Sequence, residues 1–210
     1  MIDFHEYIKI AIALLVIINP LGISPLFLSV TSNQKKSEQN KTARITALSV
    51  AIILLVTVFL GNSILKFFGI SISAFRVGAG ILILLMAISM LRAQISGVKH
   101  IPEEAEEAEE KEDVAVVPLA IPFLAGPGAI STVVIYSHQS PHWEHRLILC
   151  LIVIGLSVLV WITLQMASIF GKYLGRTGIN ISTRLMGLIL SAVAIEFIVQ
   201  GLLVLLPGLS

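Results

Sequence analysis

Charge is what this sequence has least of. Only 13% of its 210 residues are Asp, Glu, Lys or Arg, about half the share usual in a soluble globular domain. With 56% of residues hydrophobic, there is too little polar surface to coat a water-soluble core. No excess of one sign exists either. Fourteen cations against thirteen anions leave a net charge of +1, which removes the electrostatic case for a nucleic-acid partner. The single cysteine, Cys150, excludes an intrachain disulfide and reads as a small buried residue in an apolar run. The start of the chain, Met1-Ile2-Asp3-Phe4-His5-Glu6, lacks the basic region of a secretory signal, so the first apolar run is expected to stay in the mature protein. There is no phosphate-binding loop, no Gly-rich dinucleotide fingerprint and no zinc-type Cys/His spacing. His5-Glu6-Tyr7-Ile8-Lys9 lacks the second histidine of a zinc protease. No cofactor and no enzymatic activity are expected.

What is present is a series of apolar runs: residues 7–30, 45–65, 74–91, 114–136, 147–170 and 185–206. A membrane-spanning helix needs roughly 20 mostly apolar residues to cross about 30 Å of hydrocarbon. Backbone groups in lipid must be satisfied within the chain, so these runs predict helices. The expected fold is all-α: a polytopic membrane protein of about six transmembrane helices. Two runs are broken. Asn19-Pro20-Leu21-Gly22-Ile23-Ser24-Pro25 interrupts the first, and Pro118, Pro122, Gly126, Pro127 and Gly128 interrupt the fourth. Proline removes a backbone donor and glycine loosens a helix. Such breaks at membrane depth are tolerated only where protein or a water-filled cavity covers them.

The acidic stretch Glu103-Glu104-Ala105-Glu106-Glu107-Ala108-Glu109-Glu110 reads as a solvated linker rather than a metal or partner site. It separates a first three-helix unit, 1–92, from a second, 114–210, across the linker 93–113. The halves resemble each other. Asn19-Pro20-Leu21-Gly22-Ile23-Ser24 aligns on Gly126-Pro127-Gly128-Ala129-Ile130-Ser131, and Gly69-Ile70-Ser71-Ile72-Ser73 aligns on Gly178-Ile179-Asn180-Ile181-Ser182. Gly78 falls on Gly187 in the second alignment. Three helices per half make the second half enter from the opposite side, an inverted 3+3 repeat with broken first and fourth helices. Of the 14 Lys and Arg, ten flank one side: Lys35, Lys36, Lys41, Arg44, Arg92, Lys99, Lys111, Lys172, Arg176 and Arg184. The other four are Lys9, Lys66, Arg76 and Arg146. This bias places the first group in the cytoplasm and both termini outside.

Paired interruptions at matching positions of inverted halves are the best sequence pointer to a transporter site. A half-helix start offers free N–H groups and a positive dipole end to a carboxylate, and the freed carbonyls suit a cation or ammonium. The candidate substrate-binding residues are therefore Asn19, Pro20, Gly22, Ser24, Gly126, Pro127, Gly128, Ser131 and Thr132. The alternative is that prolines kink the helices for packing and hydroxyls satisfy freed backbone. Glu196 lies inside the last apolar run, where an ionisable group is a functional hypothesis by default. It is the candidate ion-coupling residue, against a structural pairing with Arg76 or a bond to Gln200. Arg76 reads as an interfacial anchor or substrate clamp, Gln165 as an interhelical hydrogen-bonding group, and Gly78-Ala79-Gly80 as a close-packing segment. His138, His142 and His145 cluster with Glu144. Pro141 argues against the helix that a metal pair would need, leaving a solvated loop as the reading.

The segments Asn19-Pro20-Leu21-Gly22 with Pro25, Pro118-Leu119-Ala120-Ile121-Pro122 running into Ala125-Gly126-Pro127-Gly128-Ala129-Ile130-Ser131, and Arg184-Leu185-Met186-Gly187-Leu188 resemble the MarC family of bacterial and archaeal membrane proteins. The resemblance covers nearly the whole chain. It implies six helices in the cytoplasmic (inner) membrane. Through some members it also implies cation- or proton-coupled transport of small neutral amino acids such as glycine and alanine. It supplies no site residues. The expected function is a secondary transporter with H+ or Na+ as coupling ion, membrane lipid as surroundings and no nucleic-acid partner. A channel, a facilitator or an exporter of another metabolite is the alternative.

Overall fold

The computed structural model describes residues 4–92 and 115–206, and the predicted linker 93–113 lies outside the described residues. The described residues are helical throughout. In chain order they form α1 (Phe4–Ile18), α2 (Ser24–Val30), α3 (Lys36–Phe67), α4 (Ile72–Leu91), a π-helical segment α5 (Ala115–Leu124), α6 (Pro127–Ser137), α7 (Trp143–Gln165) and α8 (Ala167–Leu205). Four stretches are long and apolar enough to cross a membrane: α3, α4, α7 and Thr177–Leu205 of α8. The first and fourth apolar runs are each divided, into α1–α2 and α5–α6.

Local sequence sets the ends of these helices. At the start of α3, the Glu38 carboxylate accepts from the Lys35 N–H at 2.8 Å, using a donor the helix leaves unpaired. At its end Gly69 takes φ +67°. Ile70 N–H then donates to Leu65 O at 2.9 Å and Gly69 N–H to Lys66 O at 3.1 Å, the paired closure that a left-handed glycine permits. Ser71 opens α4 by accepting from Ala74 N–H at 3.1 Å. The fifth and sixth runs depart from expectation. α7 closes at Gln165, and α8, Ala167–Leu205, is two helices joined at a kink within the polar residues 171–184. Its one non-helical residue is Gly175, at φ +57°. Glycine supplies the break: a φ of +57° with ψ −175° lies outside the helical region, and the membrane-spanning stretch begins at Thr177.

α4 packs most extensively on α8, and α3 on α7. In lipid, helices gain little from hydrophobic association and meet where small residues allow backbones to approach. The α4–α8 seam follows that rule with a seven-residue period. A methyl added at Gly201 would sit 2.8 Å from the Ser73 carbonyl oxygen, at Gly80 2.8 Å from that of Ala194, and at Gly187 3.1 Å from that of Ala87. Ser73, Gly80 and Ala87 thus oppose Gly201, Ala194 and Gly187 in antiparallel register. Gly78 has open space around it, so close packing in the Gly78-Ala79-Gly80 segment belongs to Gly80, and to Ala79, which is buried.

The outside of the bundle is apolar. Leu48, Ile52, Val56, Leu60 and Ile64 form an exposed stripe on α3, and Leu147, Leu151, Ile154, Val158 and Ile162 one on α7. The opposite faces, including Val50, Leu54 and Val58 on α3 and Leu149, Val153 and Val160 on α7, are buried. Apolar residues on both faces are what a lipid-embedded helix requires.

Candidate functional site

The first interruption is built by Asn19. Its N–H still donates to Leu15 O at 2.9 Å, but its φ of +44° turns the chain out of the helix. Asparagine tolerates this left-handed conformation better than most residues. Gly22 N–H closes the turn on Asn19 O at 3.0 Å and on Asn19 Oδ1 at 3.3 Å. A methyl at Gly22 would lie 2.2 Å from Asn19 Nδ2, so glycine makes room for the asparagine side chain. Pro20 has no N–H to give. Its carbonyl accepts from Ser24 Oγ at 3.1 Å, and Ser24 opens α2.

The second interruption is the passage from α5 to α6. Pro118 and Pro122 cannot donate, which breaks the ordinary i→i−4 ladder. The segment adopts the wider π-helical winding instead, and Ala125 N–H donates five residues back to Ala120 O at 2.8 Å. Thr46 Oγ1 of α3 donates to Ala115 O at 3.0 Å and ties down the start of this segment. Gly126 is extended, with ψ −178°, and Pro127 occupies the first turn of α6. In that first turn the N–H groups of Gly128 and Ala129 have no acceptor within the helix.

Packing brings the two interruptions together. α1 contacts both α5 and α6, and a methyl at Gly128 would lie 3.4 Å from Ile17 of α1 and 2.9 Å from Met86 Sδ of α4. Pro20, Gly22, Ser24, Gly126, Gly128, Ser131 and Thr132 are buried, Asn19 is half-buried and Pro127 is exposed. The hydroxyls are engaged with their own helices. Ser131 Oγ donates to Pro127 O, and Thr132 Oγ1 to Gly128 O at 2.7 Å. Their oxygen lone pairs remain able to accept from a ligand.

Glu196 stands apart from this pair. It is exposed and accepts from Gln200 Nε2 at 3.0 Å, while Gln200 Oε1 accepts from Arg76 Nη1 at 2.9 Å. Arg76 therefore reaches Glu196 through Gln200 rather than by an ion pair. Glu196, Gln200, Tyr136 and Glu6 line a cavity of about 400 Å³. Tyr136 is eight residues from Gly128 on α6, about 12 Å along the axis, so this cavity lies toward the other end of that helix.

The outer histidines separate. His138 and His142 are exposed, whereas His145 is 2% exposed. His145 Nε2 lies 2.8 Å from Tyr136 O and Nδ1 lies 3.1 Å from the Tyr7 hydroxyl. A carbonyl can only accept, so Nε2 carries the proton, and in neutral imidazole Nδ1 accepts from Tyr7. This bridge joins α1, α6 and α7. Sequence reading missed it because Tyr7 and His145 are 138 residues apart.

The profile of the MarC family integral membrane protein matches residues 4–206. The chain is 40% identical over 207 residues to the UPF0056 membrane protein BU267 of Buchnera aphidicola subsp. Acyrthosiphon pisum, covering 99% of this chain and 96% of that one. It is 41% identical to the UPF0056 membrane protein YhcE of Escherichia coli (strain K12), with the same coverage. To the UPF0056 membrane protein MJ1677 of Methanocaldococcus jannaschii it is 38% identical, covering 95% of this chain and 97% of that one. No solved structure matches. A profile match over nearly the full length, with bacterial and archaeal relatives this similar, establishes that the chain belongs to the MarC family of integral membrane proteins.

Proposed function

We propose that this chain is a secondary active transporter of small solutes, most suitably small neutral amino acids, driven by a proton or sodium gradient across the cytoplasmic membrane. The observation that carries the reading is the pair of helix interruptions, one in each half, brought near each other where Ile17, in the last turn of α1, meets Gly128. Discontinuous helices of this kind form substrate sites in transporters built from inverted repeats. The substrate carboxylate would meet the free N–H groups at the start of α6. Its ammonium would meet the oxygens of Ser24, Ser131, Thr132 and the Asn19 turn. Buried, largely apolar surroundings favour a small side chain.

The inverted repeat is part of the same proposal. α1–α2, α3 and α4 would correspond to α5–α6, α7 and α8, with both termini on the outer side. Support comes from the packing, since each helix meets its own counterpart: α3 lies on α7, and α4 runs antiparallel to α8. Glu196, joined to Gln200 and Arg76, is the proposed site where the coupling ion enters.

The test is uptake of labelled glycine and alanine by the purified protein in proteoliposomes, with and without an imposed proton or sodium gradient. Accumulation above equilibrium with one gradient supports coupled transport and names the ion. Equilibration without accumulation identifies a channel or facilitator and overturns the coupling. Absence of flux for both solutes overturns the amino-acid assignment.

A further inference from the structure

At the end of the bundle where α3 finishes and α7 begins, a cavity of about 510 Å³ lies between the last turns of α3 and the α6–α7 connection. Its polar lining includes Asn62, Ser63 and Lys66 from α3, His138 and Ser140 from the α6–α7 connection, and Arg146 from the first turn of α7. Two cations face this space and no carboxylate lines it. Among the described residues neither Lys66 nor Arg146 has a side-chain partner, and Arg146 Nε is buried without an acceptor. A buried guanidinium nitrogen with nothing to bond calls for an explanation. The neutral groups are also unspent. The Asn62 amide makes no hydrogen bond among the described residues. Ser140 Oγ accepts from His142 N–H at 3.3 Å, which leaves its own proton to donate.

The cations are informative for a second reason. Lys66 and Arg146 are two of only four Lys or Arg on that side of the chain, where such residues are scarce. Both converge on one cavity. Phe59, 44% exposed, forms part of the cavity wall, so the cavity opens beside the apolar outer surface of α3. We infer that this cavity is a binding site for an oxyanion of the phosphate type, held by Arg146 and Lys66 and oriented by Asn62 and Ser140. A guanidinium presents a planar fork to phosphate oxygens, and an ammonium adds a point charge. The same chemistry is offered by the headgroup of an anionic phospholipid and by a soluble phosphate.

The experiment uses the full chain in detergent micelles. Thermal unfolding and direct binding are followed with added phosphatidylglycerol, phosphatidylcholine or inorganic phosphate. Phosphatidylcholine shares the phosphodiester but carries a compensating ammonium, so it serves as the neutral control. The wild type binds phosphatidylglycerol about tenfold more tightly than phosphatidylcholine, and Lys66→Gln combined with Arg146→Gln removes that preference. Lys41→Gln with Lys172→Gln, which removes the same charge from exposed positions elsewhere, leaves it intact. Lys66→Arg with Arg146→Lys restores it. Stabilisation by inorganic phosphate as well assigns the site to soluble anions, while stabilisation by phosphatidylglycerol alone assigns it to lipid. If the double glutamine variant does not fold, Lys66→Gln alone carries the test, because that side chain is exposed. Equal binding of the two lipids without a phosphate effect, or a preference that survives Lys66→Gln, overturns the inference.

Discussion

Asn19 does the work of a glycine at the first interruption, with a side chain that holds the turn it makes. Its φ of +44° costs an ordinary residue about 1–2 kcal/mol, and its Oδ1 accepts from the Gly22 N–H. Asn19→Ala takes on that strain and loses the bond, so its unfolding free energy should fall by about 1–2 kcal/mol. Asn19→Gly relieves the strain and should lose about 1 kcal/mol or less. Thermal melting in detergent checks the order, and equal melting of the two variants would show that the turn does not depend on left-handed geometry. The break itself was legible in the sequence from Pro20 and Gly22. The residue that turns the chain was not, because left-handed geometry leaves no trace in hydropathy. His145 shows the same limit. Its neighbours in sequence suggest a wet loop, and only folding brings Tyr7 to it.

At the scale of elements, the seam between α4 and α8 is set by small residues every seven positions, an antiparallel pairing in which backbone meets backbone. Overpacking such a contact costs about 1–3 kcal/mol. Gly80→Ala, whose methyl meets the Ala194 carbonyl at 2.8 Å and Ile198 Cγ1 at 2.6 Å, should lower the melting temperature. Gly78→Ala, two residues earlier with nothing within 4 Å, should leave it unchanged or raise it, since alanine favours a helix over glycine by about 1 kcal/mol. Matching shifts for both variants would contradict the seam. The sequence showed the glycines of this segment but not which of them faces a partner. Length was misleading in a similar way. Hydropathy starts the sixth run at Leu185, whereas its helix begins at Thr177, just past the kink at Gly175, and includes Asn180 and Arg184 before the apolar stretch. The π-helical α5 was equally hidden. Pro118 and Pro122 signal a broken ladder without specifying that the chain rewinds to a wider one.

For the whole molecule, composition and run length were enough to establish a polytopic helical membrane protein, since apolar surface on every face admits no other solvent. The broken first and fourth segments were legible too, as were the residues that interrupt them. That Ile17 and Gly128 bring these segments together depends on contacts between halves more than a hundred residues apart. The place of Glu196 in an apolar run makes it a candidate coupling residue, with a bond to Gln200 as the alternative. Folding puts it on an exposed face bonded to Gln200, in a cavity shared with Tyr136 and Glu6.

The measurement that tests the central claim most directly compares two glycines in the uptake assay. Gly128 belongs to the second interruption and faces Ile17, just before the first, and Met86 of α4, while Gly155 on α7 is exposed with nothing within 4 Å. With membrane insertion and monodispersity confirmed for each variant, the initial rate of gradient-driven glycine or alanine uptake is measured for Gly128→Leu and Gly155→Leu. If the solute passes between the interruptions, Gly128→Leu falls at least about tenfold, equivalent to about 1.4 kcal/mol of lost binding or barrier, and Gly155→Leu keeps the wild-type rate. Wild-type uptake by well-inserted Gly128→Leu would place the path elsewhere and contradict the account.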